Sequence, residues 1–210
     1  MNTTMKLWKF ILVSLILVSC SAEESFAQEP ENLRQEVIVE NLVFKVWYNE
    51  IYEQPMKLVY TSTNRVKNVD RGSMNFHKVN GYHTSDNADY KYNIYDKGHL
   101  APAATYSDNM DNLKTTFSFL NCALQNQYLN RGEWRLLEEQ ERRWDDSENL
   151  TITVNLVFGE NHIVLPTGGH IPTDMIKHIY FETQSNWRCF EFENIKPTDG
   201  WEEHEVNHSH

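Results

Sequence analysis

Cysteine is scarce in this chain, with three in 210 residues, at Cys20, Cys122 and Cys189. None belongs to a Cys-x-x-Cys pair, which leaves a thiolate zinc knuckle without support. Basic residues are also in deficit, with 19 Lys and Arg against 30 Asp and Glu and a formal net charge of −11. That excludes a protein that attracts nucleic acid through bulk positive charge. It does not exclude a local basic patch, because net charge governs solubility and long-range attraction rather than contacts. Beyond the N-terminal region no apolar run approaches the roughly 18 residues of a membrane-spanning helix. Internal repeats and low-complexity blocks are absent as well. What is present is 40 % hydrophobic and 12 % aromatic residues, enough for the core of one domain.

Residues 1–19 read as an export signal. Lys6 and Lys9 precede an apolar stretch (FILVSLILV) too short for a stable span. Two processing sites compete. Leu17-Val18-Ser19-Cys20 is a lipobox-like pattern that would lipidate Cys20, and it follows the apolar run directly. Ser25-Phe26-Ala27 offers signal-peptidase cleavage before Gln28. The lipobox is the favoured reading. It makes residues 20–33 a polar tether and the protein an exported envelope lipoprotein; the second site would make it secreted. Loss of residues 1–19 removes two lysines and no acid, deepening the negative charge. Export permits a Cys122–Cys189 disulfide, and two separate buried thiols are equally compatible with the spacing.

β-branched and aromatic residues over 37–48 predict one or two strands, and residues 57–62 another. A strand over 90–95 should stop at Asp96, with a Gly-containing turn then presenting His99. Residues 111–129 read as mixed, and 131–144 (RGEWRLLEEQERRW) as a helix burying Trp134, Leu136 and Leu137. Further strands are expected over 150–158, 162–165, 178–182 and 187–193. Strands, then helix, then strands imply an α+β domain over 34–199, with a largely antiparallel central sheet and flanking helices. Residues 200–210, acidic and His-rich, are expected to be a disordered tail.

The chemistry concentrates in Asp96-Lys97-Gly98-His99-Leu100-Ala101-Pro102, followed by Asn121, by Leu129-Asn130-Arg131-Gly132-Glu133-Trp134, and by Glu138 and Arg142. This supplies an imidazole, oxygen donors suited to a hard metal, and fixed positive charge. Phosphodiester hydrolysis needs all three. Water must lose a proton, and a neutral histidine suits that role near neutral pH. The transition state and the departing 3′ oxygen gain negative charge, which cations offset. Mg2+ keeps several waters and needs few protein ligands.

At these residues the chain resembles the DNA/RNA non-specific endonucleases, whose active site is the ββα-metal (His-Me finger) motif. The signature is Asp-Arg-Gly-His-x-Ala-Pro, then an asparagine-rich segment leading into a helix of the form L-N-x-G-x-W-x-x-L-E. A weaker likeness extends over about residues 57–197. The resemblance implies His99 as general base and Asn130, opening the helix, as the direct ligand of Mg2+, with Mn2+ a possible substitute. It implies Glu138 organising the metal's water shell, Asn121 supporting the site, and Arg142 near the scissile phosphate. Arg71 matches an upstream phosphate-contacting arginine more loosely. DNA and RNA are the implied substrates, with 5′-phosphate and 3′-hydroxyl products; no protein partner is readable. One position departs from the signature: Lys97 stands where the family has arginine. The charge survives but the planar fork is lost, which bears on rate and substrate preference more than on reaction type.

Other readings of these residues are simpler. Asn130 could cap the helix instead of, or as well as, binding metal. Glu138 and Arg142, four apart, could hold one another in place. Glu133, Glu139 and Glu141 look like solvated charges. His162, His170 and His178 read as structural or surface groups. The competing function is a non-catalytic envelope lipoprotein that uses the nuclease fold as a binding module, favoured slightly by the acidic charge and by Lys97.

Overall fold

A computed structural model describes residues 33–207. The expected signal at 1–19 and all but the last residue of the 20–33 tether, with Cys20 and Gln28, lie outside them.

The domain is α+β. Strands β1 (Val37–Glu40), β2 (Phe44–Asn49), β3 (Gln54–Ser62), β6 (Leu150–Val157), β7 (Asp174–Phe181), β8 (Asn186–Glu193) and β9 (Glu205–Val206) form one antiparallel sheet in that spatial order. The two remaining strands, β4 (Tyr95–His99) and β5 (Cys122–Asn126), pair antiparallel as a separate ribbon. Strand alternation explains the main sheet. On β6, Leu150, Ile152, Val154 and Leu156 are buried, and on β7, Met175, Ile179 and Phe181 share that character. Buried amides fasten the ribbon to the sheet. Gln54 Oε1 accepts the Leu124 N–H at 3.1 Å, and Asn194 Nδ2 donates to the Leu124 carbonyl at 2.9 Å.

Among the described residues the α-helices are α1 (Met110–Thr116), α2 (Gln127–Arg131) and α3 (Glu133–Trp144). Helix α3 lies on the sheet through Trp134 against Phe192 and Trp144 against Phe181, with ring centroids 5.7 and 5.4 Å apart. Its Glu141 is fully buried, contrary to the expectation of a solvated charge. Glu141 pairs with Lys177 Nζ at 2.7 Å and accepts from Tyr60 Oη at 2.6 Å. Its position four residues after Leu137 and seven after Trp134 puts it on the buried stripe. Of the expected apolar trio, Leu136 is only partly buried.

Several local expectations are corrected. The strand expected over 90–95 is displaced: residues 90–94 are turn and bend, and β4 begins at Tyr95 and runs through Asp96 to His99, because β5 pairs with it residue for residue. Gly98 lies inside that strand, where a Cβ would fall 2.7 Å from the Gln125 Cβ. Residues 122–126 form a strand within the segment read as mixed. Asn130 neither opens nor caps the long helix. It sits near the end of α2, whose cap is Asn126, and the chain kinks at Gly132 (φ −105°, ψ −112°) before α3 begins. A Cβ on Gly132 would lie 2.6 Å from the Tyr128 carbonyl oxygen. Residues 162–165 contribute only an isolated Val164–His170 bridge.

The expected tail is ordered as far as it is described. A 3-10 turn at Trp201–His204 leads into β9, and Trp201 packs on Trp144 and Phe190 at 5.9 and 5.7 Å. Apolar burial of that ring outweighs the acidic composition around it. Cys122 and Cys189 are both free buried thiols, on β5 and β8 respectively.

Candidate active site

The β4–β5 ribbon followed by α2 and α3 borders a cleft of about 880 Å3. Six of the seven expected site residues line it: Arg71, Lys97, His99, Asn130, Glu138 and Arg142. Asn121 does not. It is fully buried behind the cleft, where its side chain binds the backbone of Ala101 and Thr116. Five cationic side chains face three carboxylates in the cleft, so its local balance is positive on an acidic protein.

His99 ends β4 between two aromatic rings, Phe76 at 4.5 Å and Phe117 edge-on at 4.8 Å. Its Nε2 is buried and has no hydrogen-bond partner among the described residues. Burial, with the Arg71 charge adding to it, lowers the imidazole pKa to about 3, so the ring is neutral at physiological pH. The loop that brings Phe76 and Arg71 to the cleft is pinned beside it. His77 N–H donates to the Phe117 carbonyl at 2.9 Å, and Phe119 N–H to the His77 carbonyl at 3.0 Å. The Arg71 guanidinium lies 5.3 Å from the Phe117 ring centre.

Asp96 was given no role of its own from the sequence, and it organises the Asn130 side of the cleft. It accepts Nδ2 of Asn130 at 2.9 Å and a two-pronged contact from Arg131, both prongs at 2.7 Å. Its place at the head of the Asp-Lys-Gly-His run was the available signal. With Nδ2 committed to Asp96, the Asn130 Oδ1 accepts no hydrogen bond among the described residues and keeps its lone pairs for a ligand. No group of three or more His, Cys, Asp or Glu among the described residues is arranged to hold a metal ion. This donor set, a free amide oxygen near carboxylates, fits a hard divalent ion that keeps most of its waters, not a zinc cage.

Glu138 is partly buried on α3. Burial pushes its pKa up to about 7, opposed by the Lys177 charge, assisted by Glu141 and opposed again by Arg142. Glu138 and Arg142 form no ion pair within 4 Å among the described residues, and Arg142 Nη1 is buried without a partner. The expected mutual anchoring is therefore absent, and Arg142 keeps an unsatisfied donor. Lys97 Nζ donates to Asn87 Oδ1 and lies 5.6 Å from the Phe119 ring centre.

A two-stranded ribbon followed by helices thus borders one cleft that His99 and Asn130 both line. The family model for DNA/RNA non-specific endonucleases matches residues 32–206. The chain belongs to that family. Among its relatives, mitochondrial endonuclease G of Bos taurus is 30 % identical over 119 residues, covering 47 % of this chain and 40 % of that protein. The Homo sapiens protein of the same name is 31 % identical over 107 residues, covering 42 % and 36 %. These matches thus span well under half of either relative. A chain in the crystal structure of an EndoG/EndoGI complex superposes with a TM-score of 0.72 at 21 % identity, over 81 % of this chain and 80 % of that one. That likeness establishes a shared ββα-metal fold.

Proposed function

We propose that this protein is a metal-dependent endonuclease that hydrolyses phosphodiester bonds of DNA and RNA without sequence preference. The observation that carries the reading is the meeting, in one positively balanced cleft, of a neutral, unpartnered imidazole and a free amide oxygen. His99 is the general base that takes the proton of the attacking water. Asn130 Oδ1 would hold Mg2+, or Mn2+ in its place, with Glu138 ordering the bound waters. When bound, the ion offsets charge on the transition state and on the departing 3′ oxygen.

Arg71, Lys97 and Arg142 grip phosphate oxygens, which carry no sequence information, and this accounts for low specificity. Arg71 has a second effect. Its charge depresses the basicity of His99 in the free protein. A phosphate that pairs with Arg71 offsets that charge, so substrate binding makes His99 a stronger base. Asn121 acts at one remove, by fixing the chain just after His99. On the pattern of residues 1–28 we also place the protein outside the cytoplasm, anchored through Cys20 or cleaved before Gln28.

The test is incubation of the protein with plasmid DNA and with RNA, in Mg2+ or in EDTA, followed by analysis of product ends. Metal-dependent loss of both substrates with 5′-phosphate ends is expected. Degradation unaffected by EDTA would overturn the metal assignment, and degradation of one polymer only would correct the substrate range.

A further inference from the structure

A second cavity of about 490 Å3 adjoins the first and shares Ala104, Glu139 and Arg142 with it. Its far wall carries Arg65 and Lys67, and Arg143 lies beside Arg142. We propose that this cavity is an anion subsite that takes a backbone phosphate adjoining the one cleaved, so that the groove binds an extended strand. The proposal rests on the endonuclease reading above.

Arg65 is held as a ready-made phosphate fork. Its guanidinium lies 5.1 Å from the ring centre of Tyr106, a fully buried residue whose hydroxyl donates to the Thr61 carbonyl at 2.7 Å. One prong reaches Asp108 at 3.5 Å, while Nε has no acceptor among the described residues. Arg142, on the shared wall, likewise carries a buried N–H without an acceptor. A preorganised guanidinium loses little freedom on binding, and its fork matches a phosphate.

The carboxylates in this cavity do not cancel the cations. Glu139 is paired with Arg135. Asp145 accepts from Ser62 Oγ at 2.5 Å, and burial raises its pKa, which disfavours its charged form. Asp146 is solvent-exposed. These acids form no cluster arranged for a cation. Two unsatisfied arginine donors, one on each side, leave an anion as the fitting occupant. Among the anions a nuclease meets, the neighbouring phosphate of its own substrate is the one delivered there by the reacting cleft.

The test compares the native chain with Arg65→Ala/Lys67→Ala on a dinucleotide, which spans only the reacting cleft, and on a long single strand. A loss of about tenfold in kcat/KM on the long strand is expected, with the dinucleotide rate unchanged. In a second arm, His99→Ala and His99→Ala/Arg65→Ala/Lys67→Ala are titrated with a labelled single strand at several salt concentrations. The slope of log affinity against log salt should become shallower by about one to two. Lys67→Ala alone, at an exposed position, should shift both readouts the same way by less, and it guards against misfolding of the double variant. Equal losses on both substrates, or an unchanged salt slope, overturn the subsite. If the native chain cleaves neither substrate, the catalytic reading fails, and the salt slope still decides the subsite.

Discussion

Asn121 clasps the backbone of Ala101 from both sides: its Oδ1 accepts the Ala101 N–H at 2.7 Å, and its Nδ2 donates to the Ala101 carbonyl at 2.9 Å. The contact works like a rung of a β-ladder and sits two residues past His99. Asn121→Ala strands buried backbone groups and should cost about 2–4 kcal/mol of stability. It should also lower kcat more than it raises KM, since no substrate contact is removed. Thermal unfolding and steady-state kinetics on the same sample check both. A rise in KM alone would place Asn121 in substrate binding instead.

Gly98 and Gln125 form a second such pair. A methyl group on Gly98 would collide with the Gln125 side chain. Gly98→Ala should destabilise by about 1–3 kcal/mol and shift His99, lowering activity. Gln125→Gly, which also removes the Cβ that the new methyl group meets, should restore much of both, a coupling that a double-mutant cycle reads directly. Additive losses would mean that the two residues do not constrain each other.

Glu138 is held in a place that disfavours its charge. Between its ordinary value of 4.5 and about 7, the folded chain keeps a proton there that the unfolded chain has released. Its contribution to stability therefore falls as pH rises through that window. In EDTA above neutral pH, Glu138→Gln should stabilise the fold by about 1–2 kcal/mol. The same change should reduce metal-dependent activity by tenfold or more, since the carboxylate orders the bound waters. Chemical denaturation in EDTA, set beside activity in Mg2+, tests this opposition. Loss of both stability and activity would mark Glu138 as structural.

How far the sequence revealed this depended on the range of the interaction involved. His99, Lys97, Asn130, Glu138, Arg142 and, more loosely, Arg71 could be read together because the resemblance to one known motif names them, and all six line one cleft. The strand at 122–126 was hidden, because its partner is β4 and its residues carry little alternation of their own. The break at Gly132 was hidden because RGEWRLLEEQERRW is helix-favouring in composition, and composition cannot register a close approach of Tyr128. Glu141 looked like Glu139 until packing separated them, although its spacing from Trp134 and Leu137 was available. Asp96 was visible in the motif but its bonds to Asn130 and Arg131 join residues more than thirty apart. The docking of Trp201 depends on Trp144 and Phe190, which no local pattern at the C-terminus discloses.

The imidazole of His99 should titrate far below an ordinary histidine. Between its normal 6.5 and about 3, the unfolded chain binds a proton that the folded chain refuses. The stability it contributes is complete above about 6.5 and is lost as pH falls toward 3. Ring resonances of His99 in the metal-free protein should stay in the neutral position from pH 8 to about pH 5. Arg71→Ala should raise its titration point, because a repelling charge is gone. A midpoint near 6.5 in the native chain would contradict the buried setting.

The central claim is that His99 is the base of a metal-dependent nuclease, and one comparison tests it most directly. Native protein and His99→Ala, each shown to be folded, are mixed with plasmid DNA and with RNA in Mg2+ under single-turnover conditions. The account predicts cleavage of both polymers by the native chain and a loss of about a hundredfold to ten-thousandfold in the variant, with binding retained. Equal cleavage rates in the two proteins, or no cleavage by the folded native chain in Mg2+, would contradict it.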